Sequence, residues 1–167
     1  SDMISQIDIT ERHQVEAALR ESQRRIRAIF DQTFQFIGLM TLDGILIEAN
    51  REALEFSGAD ESEVIGKLFW ETVWWTHSPK LQRQLKDAVK RAGAGETVRF
   101  EAYHPDLSGK THYMDVSIKP VKDEANNIVL LIPEGRDITE RKLAEEALRE
   151  SEEKYRRVVQ NALVGIY

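Results

Sequence analysis

The sequence predicts an α+β fold: two strands, short helices, one longer helix and three further strands, with a long helix at either end. Three patterns carry that prediction. Apolar and polar residues alternate in two late segments, Val98, Phe100 and Ala102 against Arg99, Glu101 and Tyr103, then Met114, Val116 and Ile118 against Tyr113, Asp115 and Ser117. A period of two marks a strand with one buried face. Between the early and late strands, Leu81, Leu85, Ala88 and Val89 share one helix face. At the two ends, one segment occurs twice.

Asp8-Ile9-Thr10-Glu11-Arg12 returns as Asp137-Ile138-Thr139-Glu140-Arg141, and residues 8–33 and 137–162 share 12 identities in 26 positions without gaps. Unrelated sequences would share about two. The offset, 129 residues, is too long for a solenoid and suits a domain plus its linker. After a two-residue slip, Phe36-Ile37-Gly38-Leu39-Met40 corresponds in character to Leu163-Val164-Gly165-Ile166-Tyr167. The chain is therefore expected to be one unit of a tandem array, running into the first strand of the next. Asp8 with Glu11, and Asp137 with Glu140, have capping-box spacing and predict helix starts.

Beyond those caps, Val15, Leu19, Ser22, Ile26, Ile29 and Thr33 step by four and three, as do Ala144, Leu148, Ser151, Tyr155, Val158 and Ala162. This seam of period 3.5 fits a parallel dimeric coiled coil, although a helix lying on its own domain's sheet would show it too. Val15, Leu19, Ile26, Ile29, Leu148, Tyr155 and Val158 are its candidate dimer contacts. With Ile26, Ile29 and Phe30, the N-terminal helix is expected to pack on this chain's sheet or on a dimer mate; the C-terminal helix is expected to project outward or pair.

In the middle, residues 36–42 and 45–49 flank Asp43-Gly44, a two-residue hairpin signal. Asn50 can cap a short helix over 51–56 that ends at Gly58, and 60–64 give another helical turn ending near Gly66. The segment 69–75 is rich in aromatics and ambiguous in type. Ser78-Pro79 starts the longer helix, serine as cap and proline at the first helical position, and Gly93-Ala94-Gly95 stops it. Strands follow over 97–104 and 112–121, turning at Ser108-Gly109, and over 128–132 after Asn126-Asn127. The last is apolar on both faces and needs cover on both. Pro133 cannot donate to a ladder, so pairing should bulge or stop there.

Composition narrows the chemistry. The chain of 167 residues has no cysteine, which excludes disulfides, thiolate zinc sites, thiol nucleophiles and cysteine-linked flavin or haem. That absence fits a reducing cytoplasm. A net charge of −6 argues against nucleic-acid binding, and the basic residues of 20–27 read as a solvated helix face. No apolar run is long enough to span a membrane, so no membrane contact is expected of this fragment.

Candidate sites are few. Trp70, Trp74 and Trp75, followed by His77, form an aromatic patch whose indoles suit a small apolar or planar ligand and can equally fill a core. His104 and His112 flank a turn, where two facing imidazoles could bind a metal but more often stand exposed. His13 lacks the neighbours of a phosphoacceptor histidine and reads as an exposed linker residue. No catalytic constellation or Gly-rich phosphate loop is present, so the fragment is not expected to be an enzyme.

The element order, together with Asn50-Arg51-Glu52-Ala53, Glu63-Val64-Ile65-Gly66-Lys67 and Gly135-Arg136-Asp137-Ile138-Thr139-Glu140-Arg141, resembles the PAS domain family. Trp70-Glu71-Thr72-Val73-Trp74-Trp75 and Ile132-Pro133-Glu134-Gly135 are similar to a PAS subgroup of bacterial and archaeal multidomain sensors. The resemblance implies a five-stranded antiparallel sheet of order 2-1-5-4-3 with helices over one face, a domain over 34–137, a linker helix over 1–33, and a second linker helix with the start of a truncated unit over 138–167. It implies a sensory or relay module upstream of an effector such as a histidine kinase or a cyclic-nucleotide enzyme. Its partners would be a second copy of itself, adjacent units and that effector. It also implies that Trp70, Trp74, Trp75 and His77, with Met114, line a pocket. A signal would leave through Asp137, Thr139 and Glu140. Haem is not expected, because the family's haem histidine lies on the long helix, which has none here. The alternative is a structural dimerisation and relay module with a filled core and no ligand.

Overall fold

A computed structural model describes residues 2–165. The elements run α1 (Asp2–Gln32), β1 (Phe36–Met40), β2 (Leu46–Ala49), α2 (Arg51–Ser57), α3 (Glu61–Val64), a single 3-10 turn (Phe69–Glu71), α4 (Pro79–Gly93), β3 (Val98–Pro105), β4 (Thr111–Lys122), β5 (Ile128–Asp137) and α5 (Thr139–Val164). The strands form one antiparallel sheet of order β2-β1-β5-β4-β3. The core lies between one face of this sheet and α2, α3 and α4.

Local chemistry explains most boundaries. Ser78 Oγ accepts from Leu81 N at 3.2 Å and Pro79 opens α4, which buries Leu81, Leu85, Ala88, Val89 and Ala92. A fully buried leucine such as Leu85 contributes roughly 1.5–3 kcal/mol. Gly58 ends α2 with φ +65°, a left-handed cap that glycine adopts without steric cost. The alternation in β3 and β4 puts Val98, Ala102, Met114, Val116 and Ile118 inward, as expected.

Four expectations are corrected. First, α1 starts at Asp2 and runs through Asp8 and Glu11, which stand on its exposed surface rather than at a cap. Second, residues 41–45 form a wider turn, with Thr41 N donating to Ile45 O at 2.9 Å and Gly44 at φ +90°, in place of a two-residue hairpin. The register between β1 and β2 slips at Leu39/Met40, which leaves Ile47 as an extra residue.

Third, β5 is longer than 128–132: pairing with β1 is interrupted at Pro133, in line with one of the two expected outcomes, but the strand does not stop there. It continues to Asp137, in the middle of the sheet, with Pro133 opposite Ile118 on β4 and Phe36, Ile37 and Met40 of β1 opposite Gly135, Glu134 and Leu131. That register sets Gly38 against Pro133 and Leu39 against Ile132, and neither pair is closed. The missing proline N–H interrupts the ladder there. The strand survives because Gly38 has no Cβ: one added there would lie 3.1 Å from Pro133 Cγ and 3.0 Å from Glu48 O. Fourth, α5 is helical through Val164, so Leu163 and Val164 are not strand residues; Ile166 and Tyr167 lie outside the described residues.

The long helices are fastened at opposite sides of the sheet. Asn50, fully buried, donates through Nδ2 to Phe30 O (3.0 Å) and Gln35 O (2.7 Å), and its Oδ1 accepts from Ile37 N (3.1 Å) and Ala53 N (3.3 Å). Asp31 accepts from Arg51 N, and Arg27 approaches Glu48 at 3.8 Å. These contacts tie the end of α1 to β1, β2 and α2. At the other side, Ile138 N donates to Tyr113 O at 2.8 Å, and Lys142 Nζ pairs with Glu101 at 2.6 Å. None of the described residues of α1 is buried, so the helix does not pack down on the sheet. A cleft separates them, floored by Ile37, Leu39 and Ile132 and edged by Ile26, Arg27 and Phe30.

Candidate functional site: an apolar cavity beneath the interrupted ladder

The 3-10 turn and the residues after it decide which aromatics face inward. Phe69 and Trp75 are buried, Trp74 is half-buried, and their rings meet edge to face, Phe69–Trp75 at 5.5 Å and Phe69–Trp74 at 6.0 Å between centroids. Trp74 is held at both ends: its Nε1 donates to Ala53 O at 3.2 Å, and its carbonyl accepts from His104 Nδ1 at 2.6 Å. Because a carbonyl only accepts, that bond fixes the proton of His104 on Nδ1. Burial pushes the His104 pKa down to about 4, although the Trp74 bond opposes this, and neighbouring His77 adds to the depression. The ring is therefore neutral at pH 7, and its edge meets Trp75 at 4.6 Å between centroids.

Against these groups lies a cavity of about 70 Å³. Its walls are Phe69, Trp74, Trp75, His104 and Met114 from one side, Phe36 and Phe56 from another, and Gly38, Pro133 and Gly135 at the interrupted ladder. The break thus lies in the cavity wall, where small residues keep side chains away. Glu134 contributes to the lining, but its carboxylate is paired with Lys119 Nζ at 3.0 Å. Among the described residues, Trp75 Nε1 is buried with no hydrogen-bond partner. An unmade buried hydrogen bond costs about 1–3 kcal/mol.

Of the five candidate pocket residues, Trp74, Trp75 and Met114 line this cavity and Trp70 and His77 do not. Trp70 lies over the turn at Gly44, where an added Cβ would be 2.4 Å from its ring, with Lys86 5.8 Å from the ring centroid. His77 Nε2 donates to Tyr103 O at 2.7 Å and bridges the loop to β3. His104 was expected to be exposed and is 6% exposed. Its signal was legible: position 104 continues the inward series of 98, 100 and 102. Phe36, Phe56, Gly38 and Gly135 carried no such signal. His104 and His112 pair across the ladder, but their rings part, His104 to Trp74 and His112 to two carboxylates.

At the exit, the expected cap is corrected: Ile138 holds the cap position of α5, without a side-chain cap bond, and one residue before it stands Asp137. Its Oδ1 accepts from Thr139 N at 2.9 Å and from the Thr139 hydroxyl, while Thr139 Oγ1 accepts from Tyr113 N at 2.9 Å. Glu140 is exposed and closes no capping box. Burial raises the Asp137 pKa, but the Thr139 bonds and His112 outweigh it and hold the carboxyl below its ordinary value. β5 therefore leads from the cavity wall at Pro133 to the first turn of α5 within six residues.

Comparison with known proteins agrees with this architecture. Sensor histidine kinase TmoS of Ectopseudomonas mendocina is 39% identical over 124 residues, covering 73% of this chain and 13% of that protein. Hybrid signal transduction histidine kinase D of Dictyostelium discoideum is 32% identical over 130 residues, covering 77% of this chain and 8% of that protein. The crystal structure of the PAS domain of an HTR-like protein from Haloarcula marismortui superposes with a TM-score of 0.62 at 24% identity, over 75% of this chain and 99% of that one. The chain thus spans only a small part of the kinases it resembles. Residues 30–143 match the family described as the PAS fold, and the chain belongs to that family as a signal-sensing module.

Proposed function

We propose that the module senses a small, neutral, largely apolar molecule in the cavity beside Trp75 and Met114 and relays its presence through β5 and α5 to an effector elsewhere in a longer protein. The observation that carries this reading is the cavity's position: its wall includes Pro133, on the strand that leads into the Asp137–Thr139 turn at the start of α5. The lining offers no unpaired charge, so a charged ligand would lose hydration without compensation. A dry cavity of about 150 Å³ holds benzene; at about 70 Å³ this one takes a smaller guest or widens at the interrupted ladder. A ligand shifts the module only by binding two of its states unequally.

The relatives' names support a sensor histidine kinase as the parent, with a cyclic-nucleotide enzyme as the other candidate; the module itself performs no catalysis in this reading. It works in the cytoplasm as a homodimer within a tandem array. The dimer is supported by the seam, where Val15, Leu19, Ile26 and Ile29, then Leu148, Tyr155 and Val158, are all exposed in the single chain. Sedimentation at high concentration tests this: a dimer is expected, and a monomer would leave the seam without a partner.

For the ligand, a thermal-shift screen of neutral ring compounds compares the chain with its Met114→Trp variant, which fills the cavity. Binding is expected to stabilise the first by RT ln(1 + [L]/Kd), and so raise its melting temperature, and to leave the second unmoved. No shift with any compound, and no small molecule extracted from purified protein, would leave the filled-core relay standing. For the exit, Asp137→Ala in a chain fused to an effector is expected to uncouple response from ligand; an unchanged response would refute the route.

A further inference from the structure

His112 lies outside the cavity, and its surroundings are chemically unusual. Nε2 is 2.8 Å from Asp106 Oδ2 and Nδ1 is 2.8 Å from Asp137 Oδ2. An ionised carboxylate only accepts, so both contacts are hydrogen bonds only if both ring nitrogens carry protons. The geometry is that of an imidazolium. A neutral ring has one N–H and turns a lone pair toward one of the two carboxylates.

Those carboxylates organise different parts of the chain. Asp106 Oδ1 accepts from Ser108 N (2.9 Å), Ser108 Oγ (2.6 Å) and Lys110 N (3.0 Å) and so shapes the β3–β4 turn. Asp137 Oδ1 holds Thr139, and Thr139 in turn accepts from Tyr113 N. His112 joins the two through their free oxygens. The charged groups facing its ring are these two carboxylates: α2 presents the Phe56 ring, edge-on at 5.1 Å between centroids, and His104, its cross-strand neighbour, is neutral.

We propose that His112 is a proton-operated latch: charged, it fastens the β3–β4 turn to the first turn of α5, and neutral, it releases one of them, so that the output helix responds to pH as well as to ligand. Burial opposes the charge, but the bonds and charges of Asp106 and Asp137 outweigh it and raise the His112 pKa above 6.5. A raised histidine pKa means the latch is fully closed below about 6.5 and opens as pH rises through the folded-state value. Phe56 lines the cavity and touches His112, so the two inputs converge there. The convergence rests on the proposed ligand reading; the opening and closing of the latch do not.

The test is an NMR titration of the histidine rings in the full chain from pH 5.5 to 9, alongside amide exchange at Tyr113 and Thr139 corrected for intrinsic base catalysis. His112 is expected to titrate above its ordinary value. Protection of the two amides is expected to fall about tenfold across the same midpoint, the equilibrium equivalent of one charge-assisted hydrogen bond. His112→Gln should abolish that step while β3 stays protected. Asp106→Asn, whose side-chain oxygen can still accept the turn's bonds, should lower the His112 midpoint by about 1 pH unit. Flat protection across the titration, the same step in His112→Gln, or a midpoint unmoved in Asp106→Asn would overturn the latch. Should His112→Gln fail to fold, the Asp106→Asn midpoint decides.

Discussion

Asn50 gives the most direct test of how α1 is attached. Replacing it by alanine removes four hydrogen bonds at once, two donated to Phe30 O and Gln35 O and two accepted from Ile37 N and Ala53 N. At a net contribution near 1 kcal/mol each, the ceiling is about 4 kcal/mol. Phe30 and Gln35 are only half-buried and can recover water, which brings the floor to about 2 kcal/mol. For a chain of this size that is a fall of about 6–12 °C in melting temperature. The assay is urea and thermal denaturation of Asn50→Ala followed by far-UV circular dichroism.

Asn50→Asp sharpens the test. It keeps the accepting oxygen but turns a carboxylate oxygen toward two carbonyls, so it should destabilise more than alanine at pH 7. Burial and those carbonyls favour the protonated acid, which raises its folded pKa above the unfolded value near 3.9. Its deficit relative to wild type should therefore shrink as pH falls through that raised value toward about 4. A loss below about 1 kcal/mol in Asn50→Ala, or an Asn50→Asp deficit independent of pH, would refute the assigned bonds.

Other outcomes follow from the same geometry. His104, neutral in the fold with a pKa of about 4, should make stability fall by about 3 kcal/mol as pH drops from 6.5 to 4, because the unfolded chain binds the proton first; His104→Gln should flatten that limb of the urea-midpoint profile. Gly44→Ala should cost about 2–4 kcal/mol by denaturation, since φ is +90° and the new Cβ meets Trp70 at 2.4 Å. Thr139→Val should cost about 1–2 kcal/mol and speed exchange at the Tyr113 amide, whose acceptor it removes.

Much of this fold was legible because its signals are local. The alternation at 98–102 and 114–118, the Ser78-Pro79 start and the Asn50 and Gly58 caps each depend on a few neighbouring residues, and all appear as read. What escaped depends on residues far apart in sequence. Pro133 by itself reads as either a bulge or a strand end; inside β5 it is tolerated because Gly38, on another strand, leaves room for its ring. The indoles could be counted but not oriented: a single 3-10 turn sends Trp75 inward and Trp70 toward Gly44. Asp137 and Glu140 have the spacing of a capping box, yet Thr139 lies nearer and takes the carboxylate. Asp8 has the same spacing in a helix that simply continues through it.

The gap between Gly38 and Pro133 also has a mechanical meaning. It is a crease that divides the sheet into two leaves, β2 with β1 and β5 with β4 and β3. α1 is bolted to the first leaf through Asn50 and Asp31, and α5 to the second through Tyr113 and Glu101. A sheet with every rung in place resists folding along its length; one lacking rungs at its midline bends there first. If the cavity takes a guest as proposed, its pressure would act on that crease, and a small opening of the two leaves would become a change of angle between two long levers. Under that reading, the two long helices would need no contact with each other to be geared together.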